Sequence, residues 1–438
     1  MNSSDSTDAW DRLRSLAPGQ RVKIARRERI IGEGTLVPSH DFSGPRIVQL
    51  KLESGYNVGI AIEPDDQVEV VGTTVGPTSR HPHHTRPATE PPSEPWVGIL
   101  TTGGTIASKV DYRTGGVRPV RDENEILEFY PDLARDGPVR IEPVFDRLSE
   151  NFAPADWVTL GARVVETFRS GAVGVVIAHG TDTLGFTAAA LSFLVKDLSG
   201  PVVVVGAQRS PDRPSSDGPS NLEAAARVAR LGELGEVVVV MHAGLSDGRF
   251  AIHRGTRVRK MHSSRRDAFQ SRNGPPLGYL DETGIHWNET PRGRAAGPPR
   301  VEGTFAGEAE LLWSHPGLDP ERAATFAKGL RGLVIAGTGL GHIATTHLSW
   351  ITAAVERGVV VVMTTQCLEG SVDPYVYATG RELVRSGVTF VDDLLPETAY
   401  VKLLWALGTS RDPVEVRHWM TTDLVGEFEP RHPPSGSP

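Results

Sequence analysis

The chain has 438 residues, too many for one hydrophobic core, so the sequence predicts two or three domains. Its composition, with 39% hydrophobic and 23% charged residues, is that of an ordinary soluble globular protein. The formal net charge of -8 at pH 7 argues against a general affinity for nucleic-acid backbones, although it is compatible with a local basic patch.

The N-terminal part of the chain is predicted to be a small all-β domain over residues 1–75. Residues 1–13 are polar and lack the apolar core of a signal peptide. Five short β-rich runs follow, separated by turn residues and interrupted by no helical period: Arg21–Ile24, Ile30–Val37, Arg46–Leu52, Tyr56–Ile62 and Val68–Val71. Because closure removes exposed strand edges, a five-stranded SH3-like barrel is the expected architecture.

Residues 76–95 are rich in Pro, Thr, Ser and His and have no apolar periodicity, which predicts a linker. His81, His83 and His84 raise the alternative of a metal site. A solvated linker is the better interpretation, since no carboxylate or thiolate partner is evident. We therefore expect no metal site in this chain.

From Trp96 onward, apolar β-branched runs alternate with helical stretches, which predicts parallel sheets covered by helices. We expect a large α/β domain over residues 96–290, a connection over Pro291–Gly307 and a small α/β domain over residues 310–438. The expected strands are Trp96–Leu100, Val173–Ala178, Val202–Gly206, Val237–Met241, Gly332–Gly337 and Val359–Thr364, and the expected helices are Trp157–Arg169, Thr187–Asp197, Asn221–Leu231, Ala344–Arg357 and Pro396–Leu407. All apolar runs are too short to span a membrane, and a single cysteine fits a reducing compartment, so a cytoplasmic protein is expected.

Two Gly-Thr motifs directly follow two of the predicted strands. In open parallel sheets, ligands collect at the carboxyl ends of the strands. In Thr101–Ser108, paired glycines allow a sharp turn, present the Thr105 hydroxyl and leave N–H groups available to a developing oxyanion. In His179–Thr183, the hydroxyl of Thr181 stands next to the carboxylate of Asp182. Alone, the first motif could be a structural turn and the second a helix N-cap. Together they favour one shared site.

The segments Thr102–Ala107 and His179–Thr183 resemble the two signature motifs of the bacterial-type L-asparaginase family in order, separation and placement. The resemblance extends from about Trp96 to Leu424. One branch, the D subunit of the archaeal-type glutamyl-tRNA(Gln) amidotransferase, is more similar still, through the extra barrel and through Asp111–Val117, Gly206–Ser210, Arg213–Asp217, Arg257–His262 and Leu395–Lys402. The resemblance implies an asparaginase-like fold and an amidohydrolase that releases ammonia from glutamine or asparagine.

The resemblance also assigns catalytic roles. Thr105 is implied as the nucleophile on the amide carbon, and Tyr112 as the group that polarises it from a Gly-rich lid. Thr181, Asp182 and Lys260 are implied as a second, proton-handling group. Threonine is a poor nucleophile and needs such neighbours. The sequence leaves open whether Lys260 is neutral or stays charged against its carboxylate neighbour.

The resemblance further implies how substrate and partners bind. Ser149 and Glu150 would hold the α-amino and α-carboxylate groups of the substrate. In the family, a partner subunit uses ATP and Mg to phosphorylate and amidate Glu-tRNA(Gln), so no cofactor is expected in this chain. The Gly337–His342 segment resembles a loop that crosses between subunits, so His342 would complete a neighbour's site in a homodimer.

Several other interpretations compete with this one. Cys367 suggests a cysteine amidotransferase, but it has no local His or carboxylate signature, and a buried structural thiol is expected instead. The Gly337–His342 segment could bind a nucleotide. A stand-alone asparaginase with an accessory barrel, or a non-catalytic α/β binding module, would have much of the same pattern. One basic cluster could meet RNA or form a solvated strip beside Lys260; its members are Arg254, Arg257, Arg259, Arg265 and Arg266.

Overall fold

The computed structural model describes residues 8–37, 44–52, 57–73, 94–103, 108–110, 117–119, 130–209 and 216–429. Within these ranges the chain forms an N-terminal antiparallel sheet, a large mixed sheet and a smaller parallel sheet. The predicted fold class is confirmed. The linker expected over residues 76–95 lies almost wholly outside the described residues.

The N-terminal sheet is antiparallel, and its strands are β1 Gln20–Arg26, β2 Arg29–Val37, β3 Ile47–Lys51, β4 Asn57–Ala61 and β5 Gln67–Thr73. Their order across the sheet is β4-β3-β2-β1-β5. Val22, Leu50 and Val68, from three different strands, share one buried core, so the sheet curls around it. In the described part of the chain no backbone pairing joins β4 to β5, so this ladder is not closed there. A short helix that the sequence did not indicate, α1 Ala9–Arg14, packs Leu13 into the same core.

The strands of the large sheet are β6 Trp96–Thr101, β9 Val139–Pro143, β10 Ala172–Ala178, β12 Val202–Val205, β13 Val237–His242, β14 Phe250–Arg254, β17 Gly278–Asp281 and β18 Gly284–Trp287. Their order across the sheet is β18-β17-β14-β13-β12-β10-β6-β9. The run from β9 to β13 is parallel, and its interior strand β12 consists of four valines that are all buried. Beyond β13 the sheet continues with antiparallel strands, which the sequence pattern did not predict.

Helices cover the large sheet, and three short strand pairs form separate two-stranded sheets in the described ranges. The helices are α2 Pro154–Arg169, α3 Leu184–Leu194 and α4 Gly218–Leu231. Helix α2 begins with Pro154 at its first turn, and the Asp156 carboxylate accepts from the Ala153 backbone N–H at 2.8 Å. The smaller paired strands are β7 Ser108–Val110 with β8 Val117–Pro119, β11 Val195–Lys196 with β19 Arg300–Val301, and β15 Val258–Lys260 with β16 Phe269–Ser271.

The small sheet is parallel, and its strands are β20 Ala309–Trp313, β21 Gly332–Gly337, β22 Val360–Thr365 and β23 Thr389–Phe390. Their order across the sheet is β20-β21-β22-β23. The helices of this unit are α5 Pro320–Phe326, α6 Leu348–Glu356, α7 Ala378–Arg385, α8 Pro396–Thr409 and α9 Pro413–Thr421. Successive residues of strand β21 face opposite sides of the small sheet. Leu333 and Ile335 contribute to a separate core, whereas Val334 joins the core of the large sheet.

Helix α8 joins the two α/β units, because its residues Ala399, Leu403 and Leu404 belong to the core of the large sheet. The two units therefore bury one continuous apolar surface between them. No helix in the described ranges combines the length and the apolar character that a membrane crossing requires.

Candidate functional site

The two Gly-Thr motifs begin at the same edge of the large sheet. Strands β6 and β10 are parallel neighbours, and their register pairs Thr101 with Ala178. The backbone N–H and the hydroxyl of Thr102 both donate to the Ala178 carbonyl oxygen, at 3.0 and 3.1 Å. The motif that follows β6 is therefore attached directly to the end of the strand that precedes the other motif.

Gly103 allows the chain to turn closely past the neighbouring loop. Its φ of +93° favours glycine, and a Cβ there would lie 2.6 Å from the Arg147 carbonyl oxygen. Two of the predicted site residues, Thr105 and Tyr112, lie outside the described residues.

Three of the predicted residues meet at this edge. The Lys260 ammonium donates to the Thr181 hydroxyl oxygen at 2.8 Å and to a carboxylate oxygen of Asp182 at 2.7 Å. The Lys260 side chain is 16% exposed, whereas that of Asp182 is 68% exposed. Lysine and threonine are 79 positions apart in sequence, so only the fold brings them together.

The N-cap alternative does not account for these side chains. Thr183 occupies the N-cap position of helix α3, but its side chain makes no capping hydrogen bond. Its hydroxyl instead donates to the Ser149 carbonyl oxygen at 2.7 Å. Thr181 and Asp182 precede the cap and remain available to Lys260.

Ser149 also lies at this edge of the sheet. It is buried on the short 3-10 turn Ser149–Asn151, with 3% of its surface exposed. A Cβ on Gly180 would approach the Ser149 hydroxyl oxygen to 2.9 Å, so a side chain at Gly180 would displace it. Glu150, on the same turn, is exposed.

A glycine on the adjacent strand end fixes the other side of Thr181. A Cβ on Gly206, just after β12, would lie 2.6 Å from the Thr181 methyl carbon and 2.9 Å from the His179 carbonyl oxygen. Any larger residue at Gly206 would therefore push Thr181 from its place.

Lys260 is positioned by a hairpin that touches both α/β units. Strand β15 approaches the first turn of helix α3 so closely that a Cβ on Gly185 would lie 3.3 Å from the Val258 carbonyl oxygen. On the other side, the Thr398 hydroxyl in helix α8 donates to the Thr256 carbonyl oxygen at 2.8 Å.

Each arginine of the basic cluster forms an ion pair with a carboxylate, and the buried members do not fit the expectation of a solvated strip. Arg257 is 7% exposed and pairs with Asp393 at 3.4 Å and Glu429 at 3.1 Å, while Arg259 pairs with Glu397 at 3.0 Å. The three other members also have carboxylate partners, namely Glu236 and Glu289 for Arg254, Asp267 for Arg265 and Asp247 for Arg266. Arg257 and Arg259 therefore pair with carboxylates of the small unit and are not part of a solvated strip. Arg265 and Arg266 instead pair within the large unit, and the Arg265 side chain is 49% exposed.

His179 is a site residue whose role could not be read from the sequence pattern. Its side chain is fully buried beneath the Thr181 motif, and this burial lowers the pKa of the imidazole to about 4. The ring is therefore neutral at physiological pH. The only sequence signal was its place directly before Gly180.

The Cys367 thiol is exposed, so the expectation of a buried structural thiol was wrong. Cys367 follows β22 by two residues and lies in the loop beyond the buried strand. In the described part of the chain, no histidine or carboxylate forms a hydrogen bond with the thiol, which leaves the cysteine amidotransferase alternative without support.

The backbone of the Gly337–His342 segment closes on itself. The Thr338 N–H donates to the His342 carbonyl oxygen at 2.8 Å, and the His342 N–H donates back to the Thr338 carbonyl oxygen at 2.9 Å. These donors are not directed at a ligand phosphate, which disfavours a nucleotide loop. The His342 ring packs edge-on against Tyr377, with 5.2 Å between ring centroids. Across the described ranges, no group of three or more His, Cys, Asp or Glu residues is arranged to hold a metal ion.

Three family models match the chain in sequence. The asparaginase N-terminal model matches residues 96–293, and the glutaminase/asparaginase C-terminal domain matches residues 309–420. The GatD N-terminal domain matches residues 16–71. The large sheet, the small sheet and the N-terminal sheet each correspond to one of these matches.

Curated relatives match almost the whole chain. The D subunit of a glutamyl-tRNA(Gln) amidotransferase from Saccharolobus islandicus is 42% identical, and the match covers 99% of this chain and 98% of that protein. Proteins of the same name from Saccharolobus solfataricus and Pyrococcus furiosus are also 42% identical, covering 97% and 94% of this chain and 96% and 94% of their own lengths.

Solved L-asparaginase structures share the fold over about three quarters of the chain. The thermostable L-asparaginase from Thermococcus kodakarensis has a TM-score of 0.70 and 34% identity, covering 76% of this chain and 99% of its own. L-asparaginase I from Vibrio cholerae has a TM-score of 0.66 and 30% identity, covering 77% of this chain and 100% of its own.

Proposed function

The chain belongs to the family of glutamyl-tRNA(Gln) amidotransferase D subunits and is an amidohydrolase of the asparaginase/glutaminase type, and we propose that its reaction takes place at the Thr181 edge of the large sheet. The observation that carries this placement is the contact of Lys260 with both Thr181 and Asp182 beside the end of β6. Glutamine or asparagine is the substrate, and ammonia is the product.

Thr105 is the proposed nucleophile. It follows Gly103 by two residues, and two residues of chain extend by at most about 7 Å. The Thr105 oxygen attacks the side-chain amide carbon, and the C–N bond then breaks to leave an acyl-threonine ester. Tyr112 is proposed to polarise this hydroxyl from a lid that closes over the substrate. Water hydrolyses the ester and regenerates the threonine.

The Lys260 contacts suit the protonation of the leaving nitrogen. Because Lys260 donates to the Thr181 oxygen, the Thr181 proton is available to a different acceptor. Thr181 passes its proton to the departing nitrogen and takes one from the lysine, and Asp182 stabilises the ammonium beforehand. The proton that leaves Thr105 returns to the lysine, so the acylation step neither gains nor loses a proton.

Ser149 and Glu150 are proposed to hold the charged end of the substrate. The Ser149 hydroxyl makes no hydrogen bond to any described residue, although the residue is buried against Gly180. It can therefore donate to an α-carboxylate. The Glu150 carboxylate on the same turn offers an acceptor for the α-ammonium group.

The N-terminal domain favours a role in transamidation over a stand-alone asparaginase. The two asparaginase structures are covered almost completely but leave about a quarter of this chain unmatched, whereas the amidotransferase relatives match it nearly end to end. We therefore propose that ammonia is supplied to a partner subunit that uses ATP and Mg to convert Glu-tRNA(Gln) to Gln-tRNA(Gln). The active form is proposed to be a cytoplasmic homodimer.

Replacing Thr105 tests the nucleophile. Thr105→Ala should lower ammonia release from glutamine and asparagine about a thousandfold, or about 4 kcal/mol of transition-state stabilisation. Near-normal turnover in Thr105→Ala would show that another group attacks the amide.

Adding the partner tests the pathway. Ammonia release by the isolated chain should be low and should rise about tenfold with the partner subunit, Glu-tRNA(Gln) and ATP, which corresponds to about 1.4 kcal/mol of coupling. Deletion of residues 1–74 should weaken this stimulation more than basal hydrolysis. Full activity in isolation, with a strong preference for asparagine and no response to partner or tRNA, would favour the stand-alone asparaginase.

A further inference from the structure

A series of buried side chains connects helix α2 to the peptide bond that precedes Thr181. The Trp157 indole N–H donates to the Thr187 hydroxyl oxygen at 3.0 Å. That oxygen lies 3.0 Å from Nε2 of His179, and Nδ1 of His179 lies 2.7 Å from the Gly180 carbonyl oxygen. Thr187 and His179 are both fully buried, and Trp157 is 5% exposed.

The chemistry of these groups fixes the direction of every hydrogen bond. A carbonyl oxygen only accepts, so Nδ1 of His179 must carry a proton. The indole N–H only donates, so the Thr187 oxygen accepts from Trp157. The single Thr187 proton is then available to Nε2, which accepts it when the imidazole is neutral. In this arrangement the indole, the Thr187 hydroxyl and Nδ1 each donate one hydrogen bond, and the Thr187 oxygen, Nε2 and the Gly180 carbonyl oxygen each accept one.

The surroundings of His179 maintain this neutral tautomer. Burial lowers the pKa of the ring to about 4, so the imidazole carries a single proton at neutral pH. Because Nδ1 holds that proton, Nε2 has none to donate to the Thr187 oxygen. The Phe152 ring packs against the imidazole with 4.7 Å between centroids, which restricts its rotation. The His179 backbone N–H also donates to the Val205 carbonyl oxygen at 2.8 Å.

We propose that Trp157, Thr187 and His179 act as positioning residues that orient the Gly180–Thr181 peptide for catalysis, an inference that rests on the proposed role of Thr181. The described chain has no cis peptide bonds, so the Thr181 N–H points away from the Gly180 carbonyl. Anchoring that carbonyl to His179 in the interior turns the Thr181 N–H outward, and it has no acceptor among the described residues. This N–H then serves the oxyanion of the tetrahedral intermediate, and the same anchor fixes the Thr181 hydroxyl against Lys260.

Two substitutions at His179 separate orientation from simple packing. His179→Asn places an amide N–H near the position of Nδ1 and retains a donor to the Gly180 carbonyl. His179→Leu fills similar space without a donor. His179→Leu should lower kcat about 10- to 100-fold with KM changed less than about threefold, and His179→Asn should recover most of the loss. Equal losses in both variants, or a loss confined to KM, would overturn the proposal.

Thr187 tests whether the residues act as one series. Thr187→Val should lower kcat about three- to tenfold in the wild-type protein but cause no further loss in the His179→Leu background. If the losses of kcat from Thr187→Val and His179→Leu multiply in the double variant, the two residues have independent structural roles, and the proposal is overturned. Thr167→Val is the matched control. Thr167 is buried, as Thr187 is, but it lies on helix α2 and donates to the Arg163 carbonyl oxygen, outside this series. This control should retain wild-type kcat.

The tautomer of His179 can be measured without any activity assay. In ¹⁵N-histidine-labelled full-length protein, with His179→Asn used for assignment, we expect a protonated Nδ1 and a bare Nε2 from pH 7 to pH 5. A protonated Nε2 at pH 6 would overturn the series even in an active enzyme. An inactive wild-type protein with the expected tautomer would instead overturn the proposed function, and with it the catalytic purpose of the series.

Discussion

Replacing Lys260 with methionine removes the ammonium that joins Thr181 to Asp182 while retaining most of the aliphatic side chain. The lost hydrogen bond to Thr181 is charge-assisted and 2.8 Å long, a type that contributes about 1.5 to 3 kcal/mol. Lys260→Met also removes the proton source for the leaving nitrogen, and general acid catalysis typically contributes about 10²- to 10⁴-fold. We therefore expect kcat/KM to fall about a thousandfold, or about 4 kcal/mol.

The same substitution should hardly change stability. The Asp182 side chain is 68% exposed, so water solvates the carboxylate once its partner is gone. Screening by water at the exposed carboxylate keeps the contribution of this pair to stability small, on the order of 1 kcal/mol, although the Lys260 side chain is only 16% exposed. A loss of activity in Lys260→Met at unchanged unfolding midpoint is therefore a loss of chemistry rather than of fold.

The assay is steady-state ammonia release from glutamine and from asparagine, with urea unfolding of each variant in parallel. Arg265→Met is the matched control, because this neighbouring cation is 49% exposed and pairs only with the nearby Asp267 among the ion pairs of the described chain. It should retain activity within about twofold. Thr181→Val should be as damaging as Lys260→Met, and the double variant should lose little more, since the two groups act as one unit.

Two outcomes would refute this reasoning. Lys260→Met with more than about a third of wild-type kcat/KM would show that the ammonium does not serve the reaction. Fully multiplied losses in the Thr181→Val and Lys260→Met double variant would show that the two side chains act at separate steps.

The remaining predictions concern stability and assembly. Lys402 and Glu427 form a fully buried ion pair at 2.5 Å, so Lys402→Met should cost about 3 to 5 kcal/mol in urea unfolding, and adding Glu427→Leu should recover much of it; an equal loss in both would contradict the pairing. Burial lowers the pKa of His179 to about 4 and that of His253 to about 3, below the unfolded value near 6.5. The unfolded chain therefore binds more protons, and stability should fall from about pH 6.5 towards pH 4 by up to about 1.4 kcal/mol per pH unit for each ring; a flat profile between pH 6.5 and 5 would refute this. Light scattering of a fully active sample should give at least the mass of a dimer, and the mass of a single chain would exclude the proposed homodimer.

The parallel core of the large sheet was predictable from sequence because its strands are buried on both faces. A run such as Val202–Val205 has no polar alternation and fits only the interior of a sheet covered by helices. The antiparallel extension was not predictable in the same way. Strands such as Gly278–Asp281 and Gly284–Trp287 are short and only partly buried, so their pattern resembles that of a loop.

Part of the site was predictable for the same reason. Strand ends of a parallel sheet share an edge, so the motif order alone predicts that Thr181 and Asp182 lie beside the motif after β6. The meeting of Lys260 with these residues was different, because the family resemblance implied it and no local spacing did. Thr105 and Tyr112 remain predictions.

By itself, then, the sequence determined the order of the strands and helices and the composition of the motifs at the strand ends, because both depend on local periodicity and turn chemistry. Only the tertiary structure decided which charges are neutralised and which groups are buried. Arg257 meets Asp393 across 136 positions of sequence, and Cys367 is exposed although it follows a buried strand by two residues. His179 becomes a neutral anchor only because helices α2 and α3 close over it. Such pairings depend on the packing of distant segments, and local sequence patterns carry no record of that packing.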